Sequence, residues 1–152
     1  MRLNLGSGND YREGWVNIDS GECHCDLHHD LCTFPWPVDE STVDEIVIQH
    51  MLEHISPKVF PQFVRQMWRV CKHGAVINIL SPKAGSDNFW TDPTHKMPLT
   101  LRTFDFFDPS KPLHENGVIY GWGDITLTVL KALDVDNPPN GPDVSFQLEV
   151  VK

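Results

Sequence analysis

Two glycines and an acid near the start of the chain are typical of a nucleotide-binding turn. Gly6 and Gly8 follow an alternating apolar segment at 2–5, and Asp19 ends a second such segment at 15–19. Glycines let a backbone approach a ligand closely, and a carboxylate at a strand end accepts hydrogen bonds from ribose hydroxyls. A lone Gly-x-Gly is more often a structural turn, so its meaning depends on the rest of the chain.

The same segment argues against a dinucleotide-dependent dehydrogenase. That fingerprint has a third glycine, whose position here holds Tyr11. Its acid follows the turn by roughly 20 residues, with a helix between. Asp19 lies much closer to Gly6, and residues 9–14 are too few for a substantial helix. A nicotinamide cofactor is therefore disfavoured.

Two later histidines are candidate general bases, because imidazole exchanges protons near neutral pH. His95 ends the loop segment Asp92-Pro93-Thr94-His95, and His50 follows a predicted strand. A loop-stabilising histidine tied to Asp92 explains His95 equally well. Residues 50–54 also spell the His-x-x-Glu-His pattern of some zinc proteases. The strand before them and Ser56-Pro57 after them leave little helix to hold both histidines on one face.

A dense group of thiols and imidazoles occupies residues 23–32. Zinc in structural sites takes four such donors, but the usual Cys-x-x-Cys spacing is absent. Alternate residues of an extended segment also point to opposite faces. A strand beside a ligand pocket is the simpler interpretation, so we assign no metal ligand, and a zinc-stabilised protein stays open as an alternative. The donors are Cys23, His24, Cys25, His28, His29 and Cys32.

Composition narrows the partners. The 152 residues suit a single domain, 1–152, and the formal net charge of −9 comes with scattered Lys and Arg. Such a chain is repelled by phosphate backbones and anionic membranes, so neither nucleic acid nor a membrane is expected as a partner. No apolar run approaches a membrane span of roughly 20 residues. Without a signal-like segment we expect a cytoplasmic protein with free thiols.

The elements that must position these residues alternate between strand and helix. Strands are predicted at 2–5, 15–19, 25–31, 43–48 and 75–80, and a helix at 61–72 ended by Gly74. This alternation predicts a mostly parallel sheet.

The second half of the chain has a looser pattern. A loop is predicted at 87–98, a short helix at 99–107 and a turn at 137–142. Late strands, expected to be antiparallel, are predicted at 118–122, 125–133 and 144–151. An exposed edge on the last of these would favour a homodimer.

In this order the motifs resemble the class I S-adenosylmethionine-dependent methyltransferases, particularly small type 11-like bacterial and phage members with a shortened first helix. The resemblance covers roughly residues 2–108. It implies an α/β, Rossmann-like, mostly parallel sheet with helices on both faces, and S-adenosylmethionine as cofactor. The matching stretches are Leu3-Asn4-Leu5-Gly6-Ser7-Gly8, Trp15-Val16-Asn17-Ile18-Asp19, His29-Asp30-Leu31, Val43-Asp44-Glu45-Ile46, His50-Met51-Leu52-Glu53-His54-Ile55, Trp68-Arg69-Val70-Cys71-Lys72-His73-Gly74 and Asp92-Pro93-Thr94-His95.

The resemblance also implies roles. The expected reaction is methyl transfer to a small, unidentified acceptor, with His95 or His50 as base. The alternatives are a non-catalytic cofactor-binding module and a zinc-dependent or zinc-stabilised protein. Trp90, Phe104, Phe106 and Phe107 are candidate walls of the acceptor pocket. The implied cofactor contacts are Gly6, Ser7 and Gly8 for the methionine part, Asp19 for the ribose, Asp30 and Leu31 for the adenine, and Gln49 and His50 beside the sulfonium.

Overall fold

A seven-stranded sheet with the order β3-β2-β1-β4-β5-β7-β6 forms the centre of the molecule. The computed structural model describes residues 1–137, 139 and 141–152. The first five strands run parallel, and the last two are antiparallel additions, as predicted. The strands are β1 Arg2–Leu5, β2 Val16–Asp19, β3 Leu27–His28, β4 Val43–Gln49, β5 Cys71–Pro82, β6 Thr126–Val135 and β7 Asp143–Val151.

Helix α1, Phe60–Val70, covers the apolar face of this sheet. Its buried positions recur every three or four residues, and Pro61 lies in the first turn, where a backbone N–H is not needed. Phe60 contacts Phe104, which in turn contacts Phe146 of β7. The apolar face of the sheet is formed by Leu3, Leu5, Ile46, Ile48, Ile77, Ile79, Phe146 and Leu148.

The opposite face of the sheet is polar at its centre. Asn78 Nδ2 donates to Glu45 Oε1 over 3.2 Å, and Gln147 Nε2 donates to Asn78 Oδ1 over 3.2 Å. This ladder crosses three neighbouring strands and satisfies side chains that water also reaches. Near the carboxyl ends of the strands, helix α2, Asp87–Thr91, contacts this face through Asn88 and Asp143.

Three predicted boundaries are wrong. Helix α1 ends at Val70 rather than Lys72, because Cys71 already pairs with Val43 and begins β5. Gly74 therefore lies inside β5, with φ +78°, instead of ending the helix. The third predicted strand, 25–31, is reduced to Leu27–His28.

The region after β5 is more helical than predicted. The predicted loop at 87–98 contains α2, whose N-cap Ser86 accepts a hydrogen bond from the Phe89 N–H over 3.2 Å. The predicted helix at 99–107 is a 3₁₀ segment, Thr103–Phe107.

The predicted strand at 118–122 is also wrong, because helix α3, His114–Ile119, occupies its start. A Cβ at Gly117 would lie 2.2 Å from the Phe106 carbonyl oxygen, so a glycine lets α3 press against the 3₁₀ segment.

Strand β7 is interior, paired with β5 on one side and β6 on the other. The prediction of an exposed edge at 144–151 is therefore wrong, and the homodimer was predicted from that edge. Residues 138 and 140 of the predicted turn at 137–142 lie outside the described residues. Within the described part of the chain, no helix has the length and apolar character required to cross a bilayer.

Candidate functional site

The turn after β1 and the acid that ends β2 are in direct contact. The N–H groups of Gly6 and Ser7 both donate to the Ile18 carbonyl, over 2.8 and 3.2 Å. The Asp19 carboxylate accepts from the Gly8 N–H over 2.8 Å. A second N–H, from Gly21, donates to its other oxygen over 2.7 Å. Gly6 and Gly8 have φ of +67° and +47°, which favours glycine at both positions.

A cavity of about 190 Å³ opens beside this turn. Four of the residues predicted to bind a cofactor line it: Gly6, Asp19, Asp30 and Leu31. They leave the carboxyl ends of β1, β2 and β3, which meet at one edge of a parallel sheet. The other lining residues are Ser20, His29, Cys32, Met51, His54 and Ile55.

Met51 closes the cavity over Gly6. A Cβ at Gly6 would lie 2.3 Å from Met51 Cγ, so only a glycine fits beneath this side chain. The cavity is smaller than the roughly 300–1,000 Å³ of typical ligand pockets. Methionine side chains are flexible, so displacement of Met51 would enlarge it. Ser7, only 3% exposed, has an Oγ with no hydrogen-bond partner among the described residues. An unpaired buried hydroxyl in this turn fits a polar ligand.

Asp30 and Leu31 also stabilise their own loop. Asp30 Oδ1 accepts from the Cys32 N–H over 2.8 Å, as in a turn cap. The Leu31 carbonyl accepts from Trp36 Nε1 over 2.9 Å. These contacts hold Asp30 at the cavity wall, and a carboxylate has about four acceptor positions, so a ligand contact remains available.

The structure does not bring Gln49 and His50 into this cavity. Gln49 is exposed and lines a separate cavity of about 170 Å³ with Asn78 and Ser145. Successive strand residues face opposite ways, so Gln49 lies on the other side of the sheet from Ile48. Gln49 therefore lies outside the cavity that Gly6 and Asp19 line, and its contact with a cofactor stays a prediction.

His50 adopts a left-handed backbone, with φ +48°, and turns toward two buried acids. Its Nδ1 lies 3.7 Å from Glu53 Oε1, and its Nε2 lies 3.6 Å from Asp143 Oδ2. The nearby Glu53 carboxylate raises the pKa of His50 above its usual value, and the charge of Asp143 adds to this against the effect of burial. His50 therefore holds a proton more readily than a free histidine does.

Glu53 is the buried centre of a polar group that we call the Glu53 cluster: Glu53, His50, His54 and His95. Glu53 is 1% exposed, and its Oε2 accepts from Ser81 Oγ over 2.9 Å. His95 Nε2 lies 4.0 Å from Glu53 Oε1. The rings of His54 and His95 are 4.8 Å apart. His50 and His95 were predicted from the sequence as candidate bases, whereas Glu53 stood only in the His-x-x-Glu-His pattern and was not predicted to be a buried carboxylate.

A second, larger cavity of about 430 Å³ is apolar and aromatic. Of the four aromatic residues predicted to wall an acceptor pocket, Phe106 and Phe107 line this cavity. Phe104 is fully buried in the core, and Trp90 is 71% exposed. Besides Phe106 and Phe107, the lining residues include Phe60, Met97, Arg102, Tyr120 and Trp122.

No protein-family model and no curated protein matches this chain. Three solved structures, each with a TM-score of 0.63, share its fold. A SAM-dependent methyltransferase from Archaeoglobus fulgidus is 19% identical, covering 97% of this chain and 85% of its own. An N-methyltransferase from Bradyrhizobium japonicum, in complex with S-adenosyl-L-homocysteine, is 12% identical, with coverage of 99% and 78%. A 1,6-didemethyltoxoflavin-N1-methyltransferase from Burkholderia thailandensis is 9% identical, with coverage of 99% and 71%. At these low sequence identities, the structural similarity demonstrates a shared fold and no more.

Proposed function

We propose that this chain, which has the class I S-adenosylmethionine-dependent methyltransferase fold, binds S-adenosylmethionine beside Gly6 and Asp19. It then transfers the methyl group of this cofactor to a small acceptor. One observation carries this proposal. Gly6, Asp19, Asp30 and Leu31, predicted independently of the structure, line a single cavity at the carboxyl edge of the sheet. Ligands of open α/β sheets bind at this edge.

The residues present fit this cofactor. When bound, S-adenosylmethionine supplies an activated methyl group, whose carbon forms a bond with a lone pair of the acceptor while the carbon–sulfur electron pair leaves on sulfur. The Asp19 carboxylate would accept hydrogen bonds from ribose hydroxyls. Ser7 Oγ would gain the partner that it lacks within the protein. Gly6 leaves the backbone open to close approach once Met51 moves.

The apolar cavity supports a small acceptor with a planar body. Its volume of about 430 Å³ lies within the range of small-molecule pockets, and its walls are mainly aromatic. Met97, one of its lining residues, donates its N–H to the Glu53 carbonyl over 2.9 Å, which ties the wall of this cavity to the backbone of the Glu53 cluster. Arg102 at its wall offers a charged contact for an acidic group.

Of the two predicted bases, His50 is the better placed. Its side chain is 45% exposed, whereas that of His95 is 7% exposed, so an acceptor can reach His50 more directly. The acids beside His50 stabilise the imidazolium that forms when it takes the acceptor's proton. His95 is then a residue that positions its neighbours.

Calorimetric titration with S-adenosylhomocysteine tests the cofactor site. Asp19→Ala is expected to weaken binding at least tenfold, about 1.4 kcal/mol. Asp39→Ala, which removes an exposed loop carboxylate, is the matched control and should bind like wild type. Asp19→Asn keeps an acceptor oxygen for only one of the Gly8 and Gly21 N–H groups, because each donates to a different oxygen of Asp19, and so removes the charge together with one loop contact. Equal affinity of wild type and Asp19→Ala would remove the ribose contact.

A product assay separates an enzyme from a non-catalytic module. Both would bind S-adenosylmethionine, but only an enzyme releases S-adenosylhomocysteine in proportion to an added acceptor. Planar heteroaromatic acceptors with a hydroxyl or ring nitrogen are the first set to screen, because they match the aromatic walls of the larger cavity. Tight cofactor binding without product across such a set would favour the module.

A further inference from the structure

Two adjacent donor side chains, Glu53 and His54, meet a third, His95, in the Glu53 cluster. One ligand atom each from Glu53, His54 and His95 lies within 4.8 Å of the other two. Among the residues that the structure describes, no other three histidine, cysteine or acidic side chains are grouped this closely. Two imidazoles and a carboxylate form the ligand set of several catalytic zinc sites.

The hydrogen bonds around His95 decide which of its nitrogens carries a lone pair. Nδ1 lies 2.8 Å from the Phe89 carbonyl oxygen, which only accepts, so Nδ1 carries the proton. Nε2 then offers a lone pair, yet it faces two carboxylates, Glu53 Oε1 at 4.0 Å and Asp92 Oδ2 at 3.7 Å. Asp92 is exposed, but Glu53 and His95 are buried, so a cation or an added proton between Nε2 and Glu53 would relieve the repulsion of their lone pairs.

His54 follows the same pattern. Its Nδ1 lies 2.9 Å from Thr94 Oγ1, and the Thr94 hydroxyl donates to Asp92 Oδ1 over 2.7 Å. Thr94 therefore accepts from Nδ1–H, which leaves Nε2 of His54 with a lone pair.

The carboxylate is oriented as well, by the hydrogen bond from Ser81 Oγ to Glu53 Oε2. Each of the three donors thus has an outer partner that fixes its orientation, and metal-binding side chains characteristically have such partners.

From this geometry we propose that Glu53, His54 and His95 bind one divalent transition-metal cation, for which zinc is the best match. Zinc binds nitrogen and oxygen at about 2.0–2.2 Å, so donors in a tetrahedral site lie roughly 3.5 Å apart. Small side-chain rotations close the difference from the present spacing. Three protein ligands leave a fourth position open. Because His54 also lines the cofactor cavity, that position is beside it. Its role, which rests on the proposed function, is to hold an oxygen of the acceptor and ease loss of its proton.

The test is a calorimetric titration of chelator-treated protein with Zn²⁺ alone. The absorption spectrum of the Co²⁺-bound protein is an independent readout of coordination. Wild type is expected to bind one equivalent. Glu53→Gln and His95→Gln are each expected to lose at least a hundredfold in affinity, about 2.7 kcal/mol. Thr94→Val, which removes only an outer partner, should lose roughly tenfold.

Cys25→Ser and His28→Gln are the matched controls, because they remove donors from the other group of potential ligands, at residues 23–32. Both should bind zinc like wild type. Circular dichroism and S-adenosylhomocysteine affinity show whether each variant is folded. Absence of binding by wild type, or an affinity that the Glu53 and His95 variants leave unchanged, would overturn the proposal.

The two proposals fail separately. Zinc affinity is measured without cofactor, and Asp19→Ala should leave it unchanged. Loss of cofactor binding in wild type would remove the proposed function while leaving the metal site in place.

Discussion

Two groups of potential metal ligands differ in how closely their donor atoms approach one another in the structure, compared with the spacing of the residues along the chain. The first group, residues 23–32, has six donors within ten positions. In the structure Cys25 Sγ contacts His28 Nδ1 over 3.4 Å, but no three donors of this group converge among the described residues. The second group joins Glu53 and His54, in the 3₁₀ turn after β4, to His95, in the loop after α2, and these three donors converge. Density of donors along a chain is therefore a poor guide to a site.

The physical reason lies in the backbone. An extended chain rises about 3.3 Å per residue and points successive side chains to opposite faces, so neighbouring donors diverge. Exposure alternates residue by residue from Cys23 to Asp30. Loops that leave parallel strands at one edge do the reverse, because the sheet brings their first residues together.

Electrostatics reinforce the difference. Burial and the nearby Asp19 raise the pKa of the Cys23 thiol. Burial and Asp30 raise the pKa of the Cys32 thiol. Metals bind the thiolate, so the acids that line the cofactor cavity weaken the first group as a metal site.

The largest expected effect is zinc-linked stability. At a zinc concentration 100 times the dissociation constant, the free energy of unfolding of wild type should rise by about 2.7 kcal/mol. Urea unfolding with and without zinc measures it. Glu53→Gln should abolish the increase, and Cys25→Ser should keep it. An increase that depends on Cys25 instead would reverse the comparison between the two groups.

A smaller effect is expected where the first turn meets Met51. Gly6→Ala places a Cβ at φ +67° and against Met51 Cγ, so we expect a loss of about 2 kcal/mol in the free energy of unfolding. Gly8→Ala is the matched control, because its φ is also positive but the space around its Cβ is open. It should lose about 1 kcal/mol.

The double variant Gly6→Ala/Met51→Ala isolates the clash. It should be more stable than the sum of the single changes predicts, by at least about 0.5 kcal/mol. Strict additivity would show that Met51 does not close the cavity over Gly6.

The smallest expected effect concerns what holds residues 23–32 in place. Three groups donate hydrogen bonds to the Asp26 carboxylate: the Asn17 N–H over 2.7 Å, Asn17 Nδ2 over 2.8 Å and the Tyr11 hydroxyl over 3.0 Å. These hydrogen bonds, led by that of the Asn17 N–H, lower the pKa of Asp26 from its usual 3.8. The stabilisation is present above pH 3.8 and is lost as pH falls through the lowered pKa.

Asp26→Asn should therefore unfold at lower urea concentration than wild type at pH 7, and the gap should narrow toward pH 2. Asp39→Asn, at an exposed loop position, should show no such narrowing. A gap that stays constant with pH would mean that the charge of Asp26 is not what anchors this segment.

Much of the first half of the molecule could be predicted from the sequence. Segments 2–5 and 43–48 were recognised as strands because their apolar residues follow the periods of buried strands. Gly74 was misread because a glycine with positive φ serves equally in a helix cap and in an irregular strand. The strand predicted at 118–122 failed because its aromatic residues pack in a local cluster with Phe106 rather than along a sheet.

The candidate site was predictable to the same degree. Gly6, Asp19, Asp30 and Leu31 lie together because each follows directly from a strand end. Gln49 lies outside this cavity because one residue of register decides which face of a sheet a side chain takes. Met51 carried no local signal of its role, whereas Glu53 was marked only by the His-x-x-Glu-His pattern, for which too little helix was expected.

By itself, the amino-acid sequence determined the tight turn at Gly6 and the acid that ends the next strand, because backbone conformation and strand period are properties of a few adjacent residues. The tertiary structure alone decided which histidines face Glu53 and which donors remain apart. Those distances depend on strand order and on loops folding over one edge of the sheet, which no short stretch of sequence encodes.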